Sequence, residues 1–356
     1  MSFLRTAAVI CEYNPFHEGH AALLRAVRER AGSDGAVLCL MSGDFVQRGE
    51  PAVYDKYTRA KAAIENGADL VLELPYPWSA SVAEQFSAGA ISILHDLGAV
   101  NELYFGSERA DDARLETVAS RLTDPAFEAL VKAGRRRDRA ASYPRLLARC
   151  YLEKWGEELD LQPNEILGVS YLCALKKTAP EMTAHALPML PGVSASEKRK
   201  EIFRKGDGNA ARLENGGRAI LAHLVLGQGS DRFSKAAPSC ATLDELFEKT
   251  RHPTDTDARL RRELLSVLLG NVNGEEKRRP LFTVLLAANA RGTRLLKELR
   301  KTAALPVITK QARAPEGGEE KKQYALYVKA QNFYASFATT PAAPDALVKK
   351  SPFVEK

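Results

Sequence analysis

A strand-to-helix transition that carries two histidines is the feature that most constrains the fold of this chain. The segment from Asn14 to His20 reads Asn-Pro-Phe-His-Glu-Gly-His, between a strand candidate at Ala7–Cys11 and a helix candidate at His20–Arg30. Its Gly lets a phosphate approach the backbone, and the free N–H groups of a helix start attract that phosphate. Both histidines can donate hydrogen bonds to phosphoryl oxygens. The pattern favours a phosphate-handling site over a turn with two surface histidines.

The composition is that of an ordinary globular protein with room for two domains. The chain has 356 residues, of which 45% are apolar and 27% charged, and a domain holds about 150 residues. No apolar run approaches the roughly 20 residues that span a bilayer, and we expect neither a signal peptide nor a membrane partner. The scattered cysteines predict reduced thiols in the cytoplasm, without disulfides or a metal site. They are Cys11, Cys39, Cys150, Cys173 and Cys240.

Basic residues are gathered in clusters, although the formal net charge is only +6. A single cluster is more often the solvated face of a helix. Several clusters together suit a phosphate backbone, so nucleic acid is a reasonable partner. The clusters are Arg135–Arg137 with Arg139, Lys198–Lys200 with Arg204 and Lys205, Arg259 with Arg261 and Arg262, Lys277–Arg279, and the stretch from Arg291 to Lys301.

Strand and helix signals alternate up to about residue 110, at a spacing of about 30 residues, which predicts βαβ units and a parallel sheet. Ligands of such sheets bind at the carboxyl ends of the strands. The strand candidates are Ala7–Cys11, Ala36–Met41, Leu70–Leu74 and Glu102–Phe105, and the helix candidates are His20–Arg30, Lys56–Asn66 and Val82–Leu97.

The remainder reads as mainly helical. Residues 112–177 form helices with a break at Gln162–Asn164, and Ala184–Leu190 is a candidate for the last strand of the sheet. Leucine periodicity predicts helices from about Glu201 to Lys301, and residues 311–322 read as a solvated loop. The prediction is therefore an α/β domain followed by an α-helical domain.

Two polar loops at predicted strand ends have both a functional and a structural interpretation. Asp44, Gln47 and Arg48 could contact substrate, or they could supply hydrogen bonds within their own loop. Gly106 could let a nucleotide pass over bare backbone, or it could serve only a turn. Neither alternative is preferred on the residues alone.

The H-x-G-H pattern between a strand and a helix resembles the signature of the nucleotidyltransferase superfamily that includes the class I aminoacyl-tRNA synthetases. The resemblance implies a Rossmann-like HIGH-type domain that binds ATP. In that superfamily a Ser-Ser-Thr-x-x-Arg motif after the last strand holds the β and γ phosphates, and Ser194, Ser196 and Arg199 match its residue types. The alternative is an ordinary helix N-cap, and both can be true.

More closely, the chain resembles the bacterial tRNA(Met) cytidine acetate ligases. The resemblance spans most of the sequence in the family's order. It rests on Val9–His20, Met41–Pro51, Gly67–Pro75, Phe105–Glu108, Pro163–Gly168 and Leu305–Lys310.

This resemblance implies an enzyme that activates acetate with ATP as acetyladenylate and acetylates the wobble cytidine of elongator tRNA(Met). Mg²⁺ is expected with the ATP, and His17 and His20 would act on the α-phosphate. The implied domains are residues 1–205 (catalytic), 206–310 (helical, tRNA-binding) and 311–356 (a tail packed on the body). The implied ATP contacts are Ile10, Cys11, Glu12, Tyr13, Asn14, Pro15, Phe16, His17, Glu18, Gly19, His20, Ala21, Ala22, Leu23, Gly106, Asn164, Ser194, Ser196 and Arg199.

Two segments depart from the family pattern. Relatives carry an Arg and a Tyr-His-Asp triplet where this chain has His185–Gly192, and an aromatic basic segment where it has Arg251–Arg259. Two other readings therefore stay open: a small-molecule nucleotidyltransferase, and a non-catalytic paralogue that binds tRNA or nucleotide. The intact histidine pair argues against the paralogue.

Overall fold

The computed structural model describes residues 5–138, 141–189, 194–207, 210–271, 274–310, 314–337 and 351–355. Their strands form one sheet in the order β5-β4-β1-β2-β3-β6-β7, with β8 paired to β6. The strands are β1 (Thr6–Cys11), β2 (Ala36–Ser42), β3 (Leu70–Leu74), β4 (Glu102–Ser107), β5 (Thr183–Pro188), β6 (Thr283–Ala288), β7 (Val307–Ile308) and β8 (Phe353–Val354).

The order of the strands in the sheet reverses its direction at β1, and the candidate ligand site lies at this reversal. β1 pairs in parallel with β2 on one side and with β4 on the other. From β1 the chain continues to β2 on one side, whereas from β4 it continues to β5 on the other side. The connections after β1 and β4 therefore diverge, which opens a crevice at the carboxyl ends of these two strands. The loop with the two histidines begins there, directly after Cys11.

Helices cover both faces of the sheet. Ala8 and Ile10 of β1 belong to an apolar core that includes Phe86 and Leu172, whereas Ala7 and Val9 face the opposite core. This alternation follows from the two-residue period of a strand. The helices up to the sheet's fifth strand are α1 (Glu18–Ala31), α2 (Lys56–Glu65), α3 (Ala83–Asp96), α4 (Asp112–Leu122), α5 (Pro125–Arg137), α6 (Tyr143–Trp155) and α7 (Pro163–Thr178).

A second apolar core holds most of the helices that follow. Phe233, Leu246 and Leu264 pack there together with Phe45 from the loop after β2, so the helical part is joined to the sheet through this loop. The helices of this core are α9 (Gly217–Leu226), α10 (Arg232–Ala236), α11 (Leu243–Thr250), α12 (Asp257–Leu269) and α14 (Gly318–Tyr334). Of the other two, α8 (Ala195–Lys205) has no fully buried residue, and α13 (Ala290–Thr302) packs its leucines into the first core. None of the helices in the described residues is long and apolar enough to cross a membrane.

The predicted βαβ alternation up to about residue 110 is confirmed, with element ends that differ by one or two residues. The strand predicted at Ala184–Leu190 is β5 at Thr183–Pro188; residue 190 lies outside the described residues. It is not the last strand, because β6, β7 and β8 follow it.

Two other predictions are wrong. Residues 283–288 form a fully buried strand, not a helix, because a short apolar run has no periodicity that separates the two. The loop predicted over residues 311–322 ends at Gly318, where α14 begins. Residues 283–288, assigned to the helical domain, therefore pair with the sheet; the domain division itself stays a prediction.

Candidate functional site

The histidine loop caps the first helix. His17 is the N-cap of α1, and its Nδ1 accepts the N–H of Gly19 at 3.1 Å. The neutral ring therefore carries its proton on Nε2, which can donate. A Cβ at position 19 would lie 3.0 Å from Cε1 of His17, so the absence of a side chain at Gly19 allows this ring position.

His17 and His20 form a stacked pair, with ring centroids 3.8 Å apart. Burial and the neighbouring His17 lower the pKa of His20 to about 3. Burial also lowers the pKa of His17, against Glu18, which raises it. Both rings are therefore neutral at neutral pH, and a neutral imidazole has one N–H that can donate a hydrogen bond. The Nδ1 atom of His20 is buried without a hydrogen-bond partner among the described residues.

Aromatic rings support this pair from the strand side. Tyr13 adopts a φ of 48°, in the left-handed region that is uncommon for a bulky residue. Its ring lies 4.9 Å from the rings of both Phe16 and His20. The strained turn at Tyr13 thus directs the chain out of β1 and beneath His20.

The start of α8 is attached to the same loop. The Arg199 guanidinium donates to the backbone oxygen of Asn14 at 2.6 Å and to Oγ of Ser196 at 2.9 Å. Ser194 is the N-cap of α8 and forms a capping box with Glu197. The N-cap interpretation of Ser194 is therefore correct, and the structure also brings Ser194, Ser196 and Arg199 next to the histidine loop.

Two further predicted ATP contacts, Gly106 and Asn164, have their surroundings defined near the end of β4. Oε1 of Glu108 accepts the backbone N–H of Asn164 at 3.1 Å and its Nδ2 at 2.9 Å. The side chain of Met189 lies over Gly106, where a Cβ would be 3.0 Å from the Met189 Cγ. The backbone at Gly106 is therefore covered by a flexible thioether.

The predicted loop after β2 is mainly structural. Asp44 is buried and accepts from Nζ of Lys56 at 3.2 Å. Gln47 acts through its backbone, since its N–H donates to Oε1 of Glu12 at 2.7 Å. Arg48 is exposed, and no hydrogen bond or ion pair holds its side chain within the described residues. The Asp44 side chain is therefore engaged by Lys56 at the start of α2, outside its own loop.

The other residues of the predicted ATP segment differ in how deeply their side chains are buried. Burial raises the pKa of Glu12, against the Gln47 N–H and the Arg59 guanidinium. Ile10, Pro15 and Ala21 are buried, whereas Cys11, Ala22 and Leu23 are half-buried. The buried side chains support the loop, so they could reach a ligand only through their backbone.

Sequence reasoning missed two buried basic residues beneath the site. Arg59 is 1% exposed and donates to the carbonyl oxygens of Tyr54, Glu12, Ser42 and Gly43. It ties the loop after β1 to the loop after β2. A basic residue on a helix reads as solvated, so the sequence carries no signal for this role.

Lys56 is fully buried and donates to Asp44, Glu73 and the Tyr327 hydroxyl. Burial raises the pKa of Glu73 to about 7. Here the sequence did hold a signal, because Glu73 interrupts the apolar strand Leu70–Leu74.

The segment that departs from the family pattern is partly described. His185 lies 3.5 Å from a carboxylate oxygen of Asp112, and the Ala186 N–H donates to the same side chain at 2.7 Å. Residues 190–193 lie outside the described residues. Within the described ranges, no group of three or more His, Cys, Asp or Glu could hold a metal ion.

Known proteins resemble this chain along most of its length. The HIGH Nucleotidyl Transferase family matches residues 4–190 and 228–347. The tRNA(Met) cytidine acetate ligase of Syntrophotalea carbinolica is 33% identical, over 87% of this chain and 86% of that protein. The ligase of the same name from Halothermothrix orenii is 30% identical, over 85% of this chain and 86% of its own length.

A solved structure agrees with these relatives. Thermotoga maritima TmcAL bound with alpha-thio ATP superposes with a TM-score of 0.87 and is 26% identical, covering 99% of this chain and 100% of its own. The fold is thus the predicted HIGH-type α/β fold. The chain belongs to the HIGH nucleotidyl transferases and, among them, to the tRNA(Met) cytidine acetate ligase family.

Proposed function

We propose that this protein is an ATP-dependent ligase that activates acetate as acetyladenylate and transfers the acetyl group to the wobble cytidine of elongator tRNA(Met). One observation carries the proposal. The neutral His17–His20 pair and the Arg199 guanidinium of α8 meet on one loop, at the crevice where the strand order turns. The names of the relatives and the ATP analogue of the Thermotoga maritima structure support it.

The first step forms one bond and breaks one. An acetate oxygen attacks the α-phosphorus of ATP, and the bond from that phosphorus to the bridging oxygen of pyrophosphate breaks. Nε2–H of His17 donates to an α-phosphate oxygen, and His20 stacks on it to hold the ring. Neutral donors aimed at developing charge stabilise a transition state without a change of protonation. Ser196 and Arg199 hold the leaving pyrophosphate through hydrogen bonds to its oxygens, which are charge-assisted.

The second step uses the same pocket. The exocyclic amine of the cytidine attacks the acyl carbon of acetyladenylate, the amine loses a proton, and AMP leaves. The base must leave its stack to reach that carbon. The exposed basic residues of the chain provide the attraction for the tRNA backbone.

Mg²⁺ is expected to arrive with ATP, because ATP-using enzymes hold it through substrate phosphates and few carboxylates. No group of three or more His, Cys, Asp or Glu in the described residues could hold this ion, so the phosphates of ATP would be its main ligands. We also propose that the enzyme acts in the cytoplasm, where tRNA is found.

Acetate-dependent ATP–pyrophosphate exchange on the purified protein tests the first step. We expect exchange that requires acetate and that falls about 10²–10³-fold in His17→Ala, the usual effect of removing one such donor. Exchange at wild-type levels in a His17→Ala/His20→Ala variant would contradict the assignment.

The acceptor is tested separately by acetylation of purified elongator tRNA(Met). Exchange without acetylation of any tRNA would favour the small-molecule nucleotidyltransferase. Absence of exchange together with retained tRNA binding would favour the non-catalytic paralogue.

A further inference from the structure

Helix α8 is unusual because none of its eleven residues is buried. It is held to the body mainly through polar groups, namely Arg199 on Asn14 and Arg212, whose guanidinium lies 4.1 Å from the ring of Phe203. Short helices are marginal in water on their own. Its apolar residues Ile202 and Phe203 are only half-buried, so a charged surface is the main feature of this helix beside the site.

The charges of α8 divide into two sets. Lys198 lies 3.7 Å from Glu18, and Lys205 lies 2.6 Å from Glu201, so these two lysines have acidic neighbours. Lys200 and Arg204 differ: both are exposed, and neither forms a hydrogen bond or ion pair with any described residue.

The nearest carboxylates of the helix are already engaged. Glu197 accepts the Ser194 N–H as part of the capping box. Glu201 has its pKa lowered first by Lys205, and Arg204 is only a minor cause. Lys200 and Arg204 thus keep their positive charge available.

The two free cations share one side of the helix and lie close to the site. Residues four apart on a helix are neighbours on its surface. Lys200 follows directly after Arg199, and Arg204 lies about 6 Å beyond Lys200 along the axis at about 1.5 Å per residue. The Arg199 guanidinium is bound to the histidine loop, and at about 3.6 residues per turn Lys200 and Arg204 lie about 100° and about 140° around the helix from it, so the contact that Arg199 makes does not account for them.

We propose that Lys200 and Arg204 form a binding surface for RNA phosphates, which holds the backbone next to the nucleotide that enters the site. This inference rests on the proposed function and adds the surface that serves its second step. A flipped base needs its flanking phosphates held, and phosphate contacts position a nucleic acid without reading its sequence.

The surface is independent of adenylation. Among the described residues, neither Lys200 nor Arg204 forms a hydrogen bond or ion pair with the histidine loop, so we expect their loss to remove positive charge from the RNA path and to leave the ATP side intact. The first step then serves as an internal check on folding.

A charge-reversal pair tests this surface. In Lys200→Glu/Arg204→Glu we expect acetate-dependent exchange within twofold of wild type, and at least a tenfold rise in KM for tRNA. The slope of log affinity for tRNA against log salt should become shallower by about 1.4, at about 0.7 per lost single-strand phosphate contact.

A matched control lies on the opposite edge of the sheet. Helix α13 runs along the amino ends of the strands, where Arg291 donates to the Gly35 oxygen at 3.1 Å and Thr302 to the Leu97 oxygen at 2.8 Å. Its exposed Lys297 and Arg300 form no hydrogen bond or ion pair in the described part of the chain. Lys297→Glu/Arg300→Glu makes the same change in net charge far from the site.

The outcomes separate the two proposals. The proposed RNA-binding surface would be overturned if the two double variants had equal tRNA affinity and an equal slope of log affinity against log salt. Net charge alone would then explain the effect. Loss of exchange in Lys200→Glu/Arg204→Glu but not in the control would also overturn it, because the helix would then belong to the ATP site. A wild type that binds tRNA through this surface but lacks acetate-dependent exchange would refute the proposed function alone.

Discussion

Glu108 accepts two hydrogen bonds from Asn164 with a single carboxylate oxygen, at 3.1 Å from the backbone nitrogen and 2.9 Å from Nδ2. This contact connects the end of β4, with Gly106, to the first turn of α7. It fixes the carboxamide so that its amide hydrogens point to Glu108 and its oxygen stays available.

Loss of this contact should affect ATP binding more than chemistry. We expect Glu108→Ala to raise KM for ATP in the exchange reaction by up to about fivefold, because an exposed charge-assisted contact is worth up to about 1 kcal/mol. The value of kcat should change little. Glu108→Gln keeps an acceptor oxygen and should recover most of the loss; an unchanged KM in Glu108→Ala would contradict the positioning role.

Arg199 should be necessary for binding the triphosphate. Its replacement by Ala removes charge-assisted hydrogen bonds worth about 1.5–3 kcal/mol, so KM for ATP should rise at least tenfold. Lys205→Ala is the control, because that lysine pairs with Glu201 on the same helix. Equal KM values in the two variants, measured by exchange, would show that Arg199 only solvates its helix.

His20 should make stability depend on pH. Its pKa is lowered from 6.5 to about 3 in the folded protein, so the unfolded chain binds more protons between these values. The stabilisation by neutral His20 is fully present above pH 6.5 and is lost as pH falls toward 3. We expect the melting temperature of His20→Gln to fall less than that of wild type over this pH range. Parallel curves of melting temperature against pH for the two proteins would contradict the lowered pKa of His20.

The buried Lys56 should be essential for stability. It is fully buried and joins Asp44, Glu73 and Tyr327. Removal of one partner from a buried ion pair costs about 3–5 kcal/mol, so Lys56→Met should lower the free energy of unfolding by that amount in urea.

A second substitution checks the cause. Glu73→Gln added to Lys56→Met removes one uncompensated carboxylate and should restore part of the stability. A double variant that is less stable than Lys56→Met would show that packing around Lys56, not its charge, is responsible.

The sequence predicted the sheet where its patterns are regular. β1 to β4 each read as a short apolar run, β2 to β4 shortly after a Gly, and each is present in the structure. The same reasoning failed at β6, because Thr283–Ala288 lies between leucine-rich helices and its run is too short to show a period.

The candidate site could be predicted in part. The histidine loop and the Ser194–Arg199 segment are local patterns, and the structure brings them together. Arg59, Lys56 and Tyr327 could not be identified as its support, since their contacts join residues far apart in the chain. Such roles depend on the tertiary fold, and the local signal was limited to Glu73, which interrupts the apolar strand β3.

The antiparallel pairing of β6 with β3, which aligns Leu70 with Ala288 and Glu73 with Val284, has a consequence for biosynthesis. The ribosome makes β3 more than 200 residues before its partner. During that interval the nascent chain presents an apolar strand with an unpaired edge, the kind of surface that invites association with other chains. The sheet therefore closes late in translation, and a fragment that stops before residue 283 would keep this edge open.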